Sequence, residues 1–187
     1  GSGSSFTLSG DGSKSVLVKQ TDIAGNISSN ANLSFTLDTT APTTTVSTVV
    51  FSNDTGTSTT DFNTNSASQT ISGTLNANVG TGDVVRVSVD NGTTWQTATT
   101  TVGANSYSLS GVTLTSSNTM QVRVEDTAGN VGTAKTQSYI LDTDAPKTTV
   151  STVKFSSDAG TSSTDFITSV STQTDRKSTR LNSSHRT

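Results

Sequence analysis

The chain has 187 residues, 28% of them hydrophobic and 13% charged, with 11 basic residues against 14 acidic ones for a net charge of −3. The absence of cysteine excludes a disulfide framework and Cys-based metal or redox chemistry. Four of the 11 basic residues (Arg176, Lys177, Arg180, Arg186) crowd the end of an otherwise acidic chain, which argues against nucleic acid as a partner. No apolar run is long enough to span a bilayer, so membrane insertion of this stretch is not expected.

Three signatures recur at one spacing. Leu37-Asp38-Thr39-Thr40-Ala41-Pro42 returns as Leu141-Asp142-Thr143-Asp144-Ala145-Pro146, an offset of 141 − 37 = 104. Asp22-Ile23-Ala24-Gly25-Asn26 returns as Asp126-Thr127-Ala128-Gly129-Asn130, and Phe51 through Asp61-Phe62 as Phe155 through Asp165-Phe166, both at 104. A fixed period of this size means tandem domains. The apolar share is low, yet apolar residues alternate in short runs, as in a thin β-sandwich with a narrow core. Such a core is marginal by itself and leaves room for a stabilising metal.

Residues 1–39 read as the C-terminal part of a preceding repeat. Ser5-Phe6-Thr7-Leu8-Ser9-Gly10 parallels Ser106-Tyr107-Ser108-Leu109-Ser110-Gly111 at an offset of 101, so the second copy carries three extra residues in the following turn. Val16 and Val18 alternate before the Asp22 turn, and Leu33, Phe35 and Leu37 alternate into the junction as a half-buried strand.

Residues 40–143 form the complete unit, with seven strands expected near 44–51, 68–76, 83–90, 94–100, 106–114, 119–126 and 135–142. Val85, Val87 and Val89 share one face, Arg86 and Ser88 the other; Met120, Val122 and Val124 face inward, Gln121, Arg123 and Glu125 outward. No useful window shows helical periodicity. The fold class expected is an all-β, immunoglobulin-like antiparallel sandwich in tandem repeats.

Residues 144–174 begin the next copy, after which the register fails. Asp175 through His185 resembles, residue for residue, one reading frame of a common sequencing-adapter oligonucleotide. Residues 175–187 are therefore taken as an artefactual, disordered tail and set aside. The rest then holds no histidine and no cysteine, and a single glutamate, Glu125. Acid–base and nucleophilic catalysis lack their usual groups, so no enzyme is expected.

The chemistry left is oxygen donors at turns and linkers. Calcium takes six to eight hard oxygen ligands from carboxylates, amides and carbonyls. If the Asp22 turn lies at the end facing the next domain, Asp22, Asn26 and Asp38 clamp an ion at the junction. Asp126, Asn130, Asp142 and Asp144 would then repeat the arrangement. Pro42 stiffens the linker. Plain turn chemistry fits the same residues, since Asp-x-Ala-Gly-Asn caps a turn in its own right. The Asp54 to Asp61 loop and its copy, Asp158 to Asp165, are a second acidic candidate, with metal and turn readings equally open. Ser88-Val89-Asp90-Asn91-Gly92-Thr93-Thr94-Trp95 matches the Ser-x-Asp-x-Gly-x-Thr-Trp pattern of sialidase-like propellers but occurs once, so it is read as a hairpin with Trp95 folded back, the alternative being a sugar-binding tryptophan.

Together the Leu-Asp-Thr-x-Ala-Pro junctions, the Asp-x-Ala-Gly-Asn turns and the Asp-x-Gly…Asp-Phe loops resemble the bacterial immunoglobulin-like repeats of giant surface adhesins and biofilm-associated proteins. The resemblance implies secretion to the cell surface, many tandem copies as neighbouring partners, calcium between repeats that stiffens the rod, and an adhesive domain elsewhere. The expected function is a structural stalk supporting adhesion or biofilm formation. A glycan- or matrix-binding module and an accessory domain of a secreted enzyme are the alternatives. Asp144 stands where the first junction has Thr40, so the two junctions are not equivalent.

Overall fold

Short alternating runs form strands throughout, and no helix occurs among the described residues of the computed structural model, 5–151 and 153–174. The tail 175–187 lies outside them.

The first element is an antiparallel hairpin of β1 (Gly12–Val18) and β2 (Ala31–Leu37), in register from Gly12↔Leu37 to Val18↔Ala31. The expected half-buried face is formed only in part: Val16, Phe35 and Leu37 are half-buried, whereas Val18 is 61% and Leu33 63% exposed. The alternation is real, but among the described residues no second sheet lies across the hairpin to bury it.

The next nine strands are β3 (Val50–Phe51), β4 (Asn63–Thr64), β5 (Ser68–Thr74), β6 (Val84–Ser88), β7 (Gln96–Thr97), β8 (Thr99–Thr100), β9 (Ser106–Thr113), β10 (Asn118–Glu125) and β11 (Lys135–Leu141). They make a five-stranded sheet, β4-β11-β10-β6-β7, and a four-stranded sheet, β3-β5-β9-β8. This is the immunoglobulin-like sandwich. Its core comes from inward positions of both sheets: Ile71, Val85, Met120 and Val122 are wholly buried, with Tyr107, Val112 and Tyr139 beside them.

The strand expected over 94–100 divides at the buried Ala98, so that β7 pairs β6 in one sheet and β8 pairs β9 in the other. The run 44–51 contributes only β3 and an isolated Val46↔Leu75 bridge. Strand β4 was not foreseen. It lies parallel to β11, pairing Ile140 with Asn63 and Leu141 with Thr64, and two residues are too few to show alternation. Ser88, on the face opposite Val85 and Val87, is 2% exposed because the β6–β7 turn folds over it.

Two tyrosine hydroxyls tie loops to the sandwich. Tyr107 donates to Thr48 O (2.9 Å) and Tyr139 to Val89 O (2.7 Å). Burial pushes the Tyr107 phenol far above its ordinary value.

The chain divides into two compact units at Asp144/Ala145. The second repeats the local geometry of the first around its aromatic pair. Phe155 and Phe166 meet edge-to-face at 5.5 Å, as Phe51 and Phe62 do at 5.1 Å, and Phe62 and Phe166 hold positive φ of 61° and 60°.

Candidate functional site at the repeat junction

The Asp-x-Ala-Gly-Asn turns are built alike in both copies. In the first, the Asp22 carboxylate accepts from Asn26 N (2.8 Å) and Asn26 Nδ2 (2.8 Å). In the second, Asp126 accepts from Asn130 N (2.8 Å) and Nδ2 (2.9 Å). Glycine is needed at the fourth position, where Gly25 and Gly129 have φ of 89° and 90°. The asparagine side chain is the largest cause holding each aspartate below its ordinary value. Turn chemistry is thus present in full at both sites.

The grouping expected at the junction is different from the one the strands impose. Because β1 and β2 start from the pair Gly12↔Leu37, Asp38 follows at that end of the hairpin, while the Asp22 turn extends beyond Val18↔Ala31 at the other. A seven-residue strand separates them by roughly 20 Å. Asp22 and Asn26 therefore do not join Asp38, and by the same reasoning Asp126 and Asn130 do not join Asp142 and Asp144. The turn faces the preceding linker rather than the following one. Asn130 Nδ2 donates to Asp38 O at 3.1 Å while also donating to Asp126 Oδ2, so Asp126, Asn130 and Asp38 converge across the first junction.

The linkers have a common turn: Thr40 N donates to Asp38 Oδ1 (3.1 Å) and Asp144 N to Asp142 Oδ1 (3.0 Å). Around the first linker two further contacts close in. Asp11, at the tip preceding β1, accepts from Thr39 N (2.9 Å) and Thr39 Oγ1 (2.7 Å) on one oxygen and from Thr40 Oγ1 (2.6 Å) on the other. A methyl placed on Gly132 would meet Pro42 O at 3.1 Å, so that glycine lets the linker backbone run close over the sandwich. Sequence reading missed Asp11, because its position 104 residues on is Thr115 and the repeat comparison conceals it.

The groups that meet at the junction are the Asp126 carboxylate, the Asn130 amide nitrogen and the Asp38 carbonyl. Among the described residues no three His, Cys, Asp or Glu side chains gather closely enough to hold a metal.

The second acidic candidate acts on its own loop. Asp54 Oδ2 accepts from Phe62 N (2.9 Å) and Asp61 Oδ1 from Asn63 N (3.1 Å). Asp158 and Asp165 do the same for Phe166 N (3.2 Å) and Ile167 N (3.0 Å). These bonds hold the two phenylalanines in their positive-φ conformation. Asp54 Oδ1 and Asp158 Oδ1 are buried without a hydrogen-bond partner.

The Asp90 turn is a hairpin with Asn91 and Gly92 at φ of 58° and 86°, the backbone of a type I′ turn. Asp90 accepts from Thr94 N (2.8 Å), Thr94 Oγ1 (2.6 Å) and Ser88 Oγ (2.7 Å), and the Thr94 hydroxyl foremost lowers its pKa to about 2. Trp95 Nε1 donates back to Gly92 O (3.0 Å), and the Arg123 guanidinium lies 3.7 Å over its ring. One indole face is therefore already occupied.

A family model described as "Bacterial Ig-like domain" matches residues 40–143. None of the curated proteins compared matches the chain. Among solved structures, the chain is similar to one described as "Crystal structure of tetra-tandem repeat in extending region of large adhesion protein", at 23% identity and a TM-score of 0.36, covering 71% of this chain and 32% of that one. The chain thus spans about a third of that protein's length, the 32% just given.

Proposed function

As the chain belongs to the bacterial Ig-like domain family, we propose that it is a stretch of stalk from a secreted bacterial surface adhesin: residues 40–143 one complete repeat, 1–39 the end of its predecessor and 144–174 the start of its successor. Its work is mechanical. Repeats are held end to end, the array stiffened by calcium, and carry an adhesive domain away from the cell to support adhesion or biofilm formation. The residues offer no catalytic set: outside the tail there is no histidine or cysteine, and the one glutamate, Glu125, is bound between Arg86 and Arg123. The observation that carries the reading is the contact of Asn130 with Asp38 O, which brings a turn of one repeat onto the linker of the one before.

Thermal unfolding of the chain in calcium and in chelator tests it. A ligand at about 100 times its Kd adds about 2.7 kcal/mol, which moves a domain of this size by several degrees. The midpoint is expected to rise in calcium and to lose that rise in Asp142→Ala. An unchanged midpoint at millimolar calcium would remove the ion and leave a plain spacer.

A further inference from the structure

We infer that the first junction is closed by a metal-independent clasp, in which the Asp11 carboxylate from the preceding repeat and the Asn130 amide from the following one both hold the Asp38–Thr40 linker. The inference deepens the stalk reading and rests on it, but it does not need calcium.

The geometry is specific. Asp11 receives three hydrogen bonds from Thr39 and Thr40, one main-chain and two hydroxyl. Charge-assisted bonds of this kind are shorter and about twice as strong as neutral ones. From the following repeat, Asn130 has its amide fixed by Asp126 before it reaches Asp38 O, so its orientation is set in advance. Gly132 then allows the Pro42–Thr44 backbone to settle against the sandwich. Carboxylate, linker and amide form one connected network across the junction, and connected networks hold a geometry better than separate pairs.

The second junction is composed differently. Its counterparts to Asp11 and Thr40 are Thr115 and Asp144, at 11 + 104 and 40 + 104. The carboxylate has moved from the turn to the linker. There Asp144 N turns back to Asp142 Oδ1, placing two linker carboxylates two residues apart. That linker presents two acids, whereas the first has hydroxyl and main-chain donors matched to Asp11. The second linker therefore lacks the residues that clasp the first.

Spin labels on Ser34→Cys and Thr136→Cys, unique because the chain lacks cysteine, report the joint through their distance distribution in the full chain. In chelator the distribution is expected to be single and narrow, and in Asp11→Ala its width roughly doubles as the joint frees. Thr40→Val, which leaves the acid in place and removes one donor, should broaden it to a lesser degree and covers any folding defect of the first variant. The double exchange Asp11→Thr/Thr40→Asp, which copies the second junction, should broaden in chelator. Its narrowing on added calcium then tests the calcium reading separately. A broad distribution for the unaltered joint in chelator would overturn the clasp. So would an unchanged width in both Asp11→Ala and the double exchange.

Discussion

At the scale of residues, stability concentrates in a few positions that admit no substitute. Gly73 is one. A Cβ there would drive into the Thr48 carbonyl and lie 2.6 Å from the Tyr107 hydroxyl, which itself donates to Thr48 O. Gly73→Ala must displace backbone rather than a flexible tip, and should cost about 2–4 kcal/mol, read as a lowered denaturant midpoint. Ile71→Ala opens a cavity between the sheets at a wholly buried site and should cost about 2–5 kcal/mol. The aspartates set the acid limit. Asp11, Asp22, Asp90 and Asp126 all titrate below their ordinary value in the fold, Asp90 near 2 against 3.8. A carboxyl depressed by folding adds stability that is complete above its unfolded pKa and vanishes as pH falls through the folded one. The melting temperature should therefore be flat near neutrality and decline between about pH 4 and 2, with Asp90→Asn removing part of that slope.

At the scale of elements, the five-stranded sheet sets two arginines directly opposite one another, Arg86 on β6 and Arg123 on β10. Glu125 reconciles them, meeting Arg86 Nε at 3.0 Å and Arg123 Nη2 at 2.6 Å. Burial raises its carboxyl, and the bonds and charges of Arg123 and Arg86 more than reverse the effect. Glu125→Gln would leave like charges facing across a strand pair, a loss of about 1 kcal/mol that shrinks as salt rises. Equality of the loss at low and high salt would contradict this account.

How far the elements were legible follows from what each depends on. Strands β6, β10 and β11 could be located from alternation, since their side chains answer directly to a buried and a solvated face. Strand β4 could not, because its two residues are fixed by β11 beside them. The crossing from β7 to β8 depends on a bend at Ala98 that carries no pattern. Both turn motifs were visible as turns. Their grouping was not, because whether the Asp22 turn lies beside Asp38 or a strand length away depends on hairpin register rather than spacing. Asp11 was hidden for the opposite reason: it departs from the repeat, and a search for recurrence passes over it.

At the scale of the whole molecule, the proposed stalk would take its mechanics from the junctions. The small core of each repeat leaves the termini and linkers to fix direction, and the oxygen-rich turn of one repeat is delivered to the linker of the one before by the antiparallel path of β10 and β11. The most direct test is small-angle X-ray scattering on this chain lengthened by one intact following repeat, in calcium and in chelator. The account predicts an extended rod in calcium that becomes shorter on average and flexible in chelator, with the bending confined to the second junction. Identical profiles in the two conditions would contradict the calcium-stiffened stalk.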